Sequence, residues 1–144
     1  MVQSAAAAGG SAFDMPFTTY VQSVAAQISQ QFTSAVADSV ISEDDLFDTA
    51  YTSIADANPR QFKTHFKHFT DQVLPELQEA ALDFDESVVF CGAVDLNGYL
   101  PTHNHKFSRP QSDDPVWNAA HCRNRRIFDD SVRLKAGRSI SLFL

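Results

Sequence analysis

Cys91, His103, His105, His121 and Cys122 are the groups best suited to ligate a metal or act as a nucleophile. No Cys-x-x-Cys-His surrounds Cys122, which excludes covalent attachment of a c-type haem, and the Cys and His intervals do not match a zinc framework. His103 and His105 would share a face only in an extended chain. A Cys–His nucleophile pair needs spatial adjacency, and no nucleophile-elbow motif is present. Binding is the better use of this neighbourhood. Thr102, His103 and Asn104 offer hydrogen-bonding groups and an imidazole directly after Tyr99-Leu100-Pro101. Arg123, Arg125 and Arg126 offer permanently charged planar forks suited to carboxylates. The candidate ligand-binding set is therefore Tyr99, Thr102, His103, Asn104, Arg123, Arg125 and Arg126, for a small ligand that the arginines would favour as an anion. No catalytic residue, metal ligand or cofactor is assigned. The competing structural reading has His103 and Asn104 fixing the backbone at a strand end. Arg125 or Arg126 would then pair with Asp129, Asp130 or acidic helices, and Trp117 reads as core.

The elements that must position these groups begin at Val88. Val88 to Val94 is a short apolar run with Gly92 inside it, which reads as a strand. Asp95-Leu96-Asn97-Gly98 reads as a hairpin turn, because Asn and Gly both tolerate positive φ. Tyr99-Leu100 is a second, shorter strand, which Pro101 must end because it has no N–H for a ladder. A proline-punctuated loop spans Phe107 to Pro115, and Asp114-Pro115 opens a short helix through Val116, Trp117 and Ala120. Ile127-Phe128 begins another strand or pinned turn, Ala136-Gly137-Arg138 is a turn, and 139–144 is a final strand.

Upstream the pattern is helical. Phe17, Tyr20, Val21, Val24, Ile28, Phe32 and Val36 recur at helix spacing, which predicts a helix from Asp14-Met15-Pro16 to about Ser39. Ser42 with Asp45 resembles a capping box, followed by an apolar face of Leu46, Phe47, Ala50, Tyr51 and Ile54. The acids Glu43, Asp44, Asp45 and Asp48 complement that helix's dipole. Asn58-Pro59 predicts a third helix start, with Phe62, Phe66, Phe69, Val73, Leu74 and Leu77 as its stripe. Pro75 is expected to end or kink it. His65 and His68, three apart, read as surface or capping groups.

The strings AVDLNGYLPTHN, KFSRP, HCRNRRIFDD and AGR resemble a sensory module of bacterial methyl-accepting chemotaxis proteins, within the PAS/Cache class of sensor folds. The likeness spans Phe13 to Leu144. It implies a non-catalytic sensor that binds a small molecule between sheet and flanking helices and works as a homodimer. Its signal would reach a chemotaxis kinase and adaptor through a coiled-coil signalling domain absent from this chain. It also implies an antiparallel sheet of about five strands, so residues 13–144 would be one sensor-like domain, C-terminally incomplete. Residues 1–12 read as a flexible tail or linker. A redox or haem-type sensor using the cysteines or histidines stays open as an alternative. So does a small enzyme acting on an anionic substrate through His103 and Arg126.

Composition narrows the partners. The net charge of −7 argues against general nucleic-acid binding. Residues 1–98 carry three basic residues against fourteen acids, whereas residues 99–144 carry eight against four, which invites complementarity between the halves. No apolar run approaches the ~20 residues of a membrane helix. The opening residues lack the charged and apolar regions of a signal peptide. Two cysteines in such a chain read as reduced thiols, and the expected location is the cytoplasm. The expected fold class is α+β, with N-terminal helices packed on a partial antiparallel PAS/Cache-like sheet.

Overall fold

The computed structural model describes residues 4–7, 15–128 and 139–143. Helix α1, Met15–Ala37, follows the apolar periodicity: Val21, Val24, Ile28 and Phe32 are buried, while Gln22, Gln27, Gln30 and Gln31 face solvent. Helix α3, Lys67–Phe84, packs along it. Tyr20 stacks on Phe84 at 4.1 Å and Phe32 meets Phe69 at 5.4 Å, so the two helices run antiparallel. Such ring pairs add roughly 0.5–1.5 kcal/mol each beyond the area they bury. Leu74 and Ala81 of α3 carry this core onward to Cys91 and Ala93 of the sheet.

Two expected helices are shorter than their patterns. Ser42 caps α2, Glu43–Leu46, by accepting a hydrogen bond from the Asp45 amide, but α2 ends after one turn. The Asp48 carboxylate accepts from the Ala50 amide at 2.9 Å, a local turn that competes with further helix, and Tyr51 and Ile54 leave the expected face. Asn58-Pro59 is no helix start either. It lies between strands β2, Thr52–Ser53, and β3, Phe62–Lys63, which form an antiparallel ribbon. Phe62 also donates its amide to the Arg125 carbonyl, so helix begins only at Lys67. Once begun, α3 runs on through Pro75.

The fold mixes helices with small sheets. Strand β4, Phe90–Val94, is buried at every position. It pairs in parallel with β7, Ser139–Phe143, which pairs antiparallel with β1, Ser4–Ala7. Ser4–Ala7, expected within a tail, is thus a strand, and a parallel pair stands where one antiparallel sheet was expected. Strand β5, Tyr99–Leu100, leaves β4 after the turn and pairs with β6, Arg126–Ile127. Helix α4, Pro115–His121, starts at Asp114, whose side chain accepts from the Val116 amide. Its buried residue is Asn118, whereas Val116 is 80% exposed and Trp117 half-buried against His121. The turn expected at 136–138, Asp14, Asp129 and Asp130 lie outside the described residues.

Candidate functional site

The hairpin turn closes with the Gly98 amide donating to the Asp95 carbonyl and the Asp95 amide donating to the Tyr99 carbonyl. Of the Asn-Gly pair, Gly98 alone takes positive φ, at 81°. A Cβ on Gly98 would lie 2.0 Å from the Phe128 carbonyl oxygen, so both conformation and space require glycine.

Beyond this turn the chain follows the border of β4 without forming a ladder. Successive strand amides point to opposite borders, so those of Cys91, Ala93 and Asp95 face away from β7. Cys91 donates to Asn104 Oδ1 at 2.8 Å, Ala93 to Gln78 Oε1 at 3.2 Å, and Asp95 to the Tyr99 carbonyl. Two side chains thus stand where a neighbouring strand's carbonyls would be. Asn104 Nδ2 donates to the Gln78 carbonyl at 2.8 Å and to Glu79 Oε2 at 2.7 Å, and Gln78 Nε2 donates to the Thr102 carbonyl at 3.2 Å. Both amide side chains are fully buried and used at both ends.

His103 belongs to the same lock. Its Nδ1 accepts from the Asn104 amide at 2.7 Å, and its ring packs with those of Phe90 and Phe107 in a three-ring cluster. Burial, with Arg123 nearby, depresses its pKa from 6.5 to about 3, so the imidazole is neutral. Tyr99 is equally enclosed; its hydroxyl donates to the Phe62 carbonyl, and burial pushes its pKa up to about 12. Cys91 and Cys122 are buried free thiols, and burial raises that of Cys91 to about 12. A thiol so held is a poor nucleophile.

The arginine segment does meet the 99–104 segment. The Arg125 amide donates to the Leu100 carbonyl at 2.6 Å, and its guanidinium pairs with Asp71 Oδ2 at 2.5 Å. The Thr102 hydroxyl donates to the other oxygen of Asp71 at 2.6 Å. Asp71 of α3 therefore joins the two segments. Arg123 lies over the Phe107 ring, and Arg126 lies over Phe128 and reaches the Ala119 carbonyl. The candidate residues come together, but as a braced joint.

Among the described residues, two cavities lie away from this joint. A cavity of about 210 Å³ sits among the C-terminal half of α1, α2, the start of α3 and the 95–98 turn. Phe32, Leu46, Phe47 and Phe66 make its apolar wall, and Asp48, Asp95, Asn97, Thr49 and Thr70 its polar part. A second cavity of about 200 Å³ shares Phe32, Leu46 and Phe47 and adds Glu43. None of the seven sequence-derived candidates lines either one. Thr70 links the two regions, since its hydroxyl lies 3.0 Å from that of Thr102.

The cavity's carboxylates are held by amides of their own loops and by groups from other segments. Asp95 Oδ1 accepts from the Asn97 and Tyr99 amides, and its other oxygen accepts from the Tyr51 hydroxyl. Asp48 accepts from the amides of Ala50 and His65. Burial alone would raise the Asp48 pKa, but those two amide donors outweigh it and hold the carboxyl below its ordinary value. His65, expected on a helix face with His68, precedes α3, and its Nδ1 lies 3.3 Å from Asp45 and 3.6 Å from Asp48. Among the described residues no group of three or more His, Cys, Asp or Glu side chains is arranged to hold a metal, and no helix is long and apolar enough to cross a membrane.

Comparison of the chain with protein-family models, with curated proteins and with solved structures found no match.

Sequence reasoning missed Asp71, Gln78 and the cavity acids Asp48 and Asp95. Gln78 carried a signal: Thr70, Leu74, Gln78 and Ala81 share the inner stripe of α3, and a glutamine on such a stripe must satisfy a buried backbone. The cavity had none, because it is assembled from four separated segments.

Proposed function

We propose that this chain is a non-catalytic sensing module that takes a small molecule into the cavity beside α1. The cavity itself carries this reading: an apolar chamber with a few polar groups converging on it is the usual form of a small-molecule site. Phe32 gives an occupant direct contact with the long helix. A ligand that fits one placement of α1 better than another shifts the population between them, which is the physical content of sensing. The family resemblance points the same way, to the ligand-binding part of a chemotaxis receptor acting as a dimer on a kinase and adaptor. The reading departs from the arginine-lined pocket expected from sequence, because those side chains brace the fold.

A thermal-shift screen of small ring compounds tests it, run beside Thr49→Trp. Thr49 is an exposed lining residue, so its replacement blocks the chamber from the solvent side. Compounds that raise Tm for the natural chain and not for Thr49→Trp support the reading. Identical shifts in both, or none in either, overturn it.

A further inference from the structure

Resting on that reading, we infer that the cavity selects a small organic cation, an ammonium group on a single-ring or short apolar body, over neutral and anionic molecules of the same shape. Size sets the body. An apolar cavity of about 150 Å³ admits benzene, so this one, at about 210 Å³, has room for one ring with a short substituent. Phe32, Phe47 and Phe66 supply aromatic surface, which suits both a ring and an adjoining cation.

Charge sets the head group. Asp48 and Asp95 line the chamber, Glu43 lines its neighbour, and among the described residues no lysine or arginine lines either. The groups that meet these carboxylates are backbone amides, the Tyr51 hydroxyl and His65. The hydroxyl and amides are neutral donors, and they leave the carboxylates' charge in place. His65 approaches Asp48 with a side chain that is 71% exposed, where solvent weakens its influence. An anion entering here would meet two carboxylates and no fixed compensating charge. An ammonium ion would meet the opposite, at a partly dehydrated wall where charge pairing is stronger than in water.

Benzylammonium, benzyl alcohol and benzoate share one frame and differ in charge, so their binding to the full chain by calorimetry decides the matter. Benzylammonium is expected to bind at least about tenfold more tightly than benzyl alcohol, with benzoate weakest. Asp95→Asn keeps one carbonyl oxygen for both loop amides, whereas Asp48→Asn keeps an acceptor for only one of the Ala50 and His65 amides. Each should bring benzylammonium toward the alcohol while leaving the alcohol unchanged. Equal binding of all three, or a preference for benzoate, overturns the cation inference and leaves the cavity reading standing. No binding by any of them overturns both. If an Asn variant fails to fold by circular dichroism, the three-ligand series on the natural chain still decides.

Discussion

The border of β4 and the cavity beside α1 meet at Thr70 and use polar residues in opposite ways. Along the border, Gln78 and Asn104 are buried with both ends of their side-chain amides hydrogen-bonded, and buried His103 accepts from a backbone amide through Nδ1. Around the cavity, Asp48 and Asp95 are tethered by amides yet keep their charge, beside a wall of phenylalanines with space in front of it. Polar density in a sequence segment therefore marks either a lock or a site. What separates them is whether the donors and acceptors cancel one another.

The comparison can be broken most sharply at His103. Below pH 6.5 the unfolded chain takes up a proton that the folded chain refuses until about pH 3. Stability contributed by neutral His103 is therefore complete above pH 6.5 and is lost as the pH falls toward 3. Across that window the loss should reach roughly 4 kcal/mol. Urea unfolding at stepped pH measures it, and His103→Gln should flatten the slope; an unchanged slope would mean the imidazole is not held neutral. Asn104→Leu comes next. It strands the Cys91 amide and removes two donated bonds, for an expected loss of about 3 kcal/mol in chemical denaturation. A loss below about 1 kcal/mol would remove Asn104 from the lock. Gly98→Ala should cost about 2–3 kcal/mol through positive φ and collision with the Phe128 carbonyl. Amide exchange would then show early loss of protection in the β5–β6 ribbon. The smallest effect sharpens the other side: Leu96, 74% exposed at the cavity, should tolerate Leu96→Ala within about 0.5 kcal/mol. A large destabilisation there would make the cavity wall part of the core.

Much of the local structure was legible because it depends on neighbouring residues. The period of α1, the Ser42 and Asp114 caps, the strand ending at Val94 and the stop of β5 before Pro101 all follow from short spacings. The meeting of the 99–104 and 123–126 segments was expected from assigning both to one pocket, and the Arg125 amide does bond the Leu100 carbonyl. Their use was not, because the deciding partners, Asp71 and Gln78, lie on a helix some 25 to 50 positions away in the chain. The same distance problem misplaced the start of α3. Asn58-Pro59 has local helix chemistry, but Phe62 finds its partners in Ser53 and Arg125. Nothing local to Asp48 announces that its carboxylate will also reach the distant His65 amide.

The side-chain carbonyls of Asn104 and Gln78 also bear on what this molecule can join. A guest strand laid against the outer margin of β4 would find the Cys91 and Ala93 donors occupied, and displacing those amides would expose buried groups on α3 and the 102–104 segment. Backbone zippering is therefore costly on that flank, a built-in guard against the edge-to-edge stacking that open sheets invite.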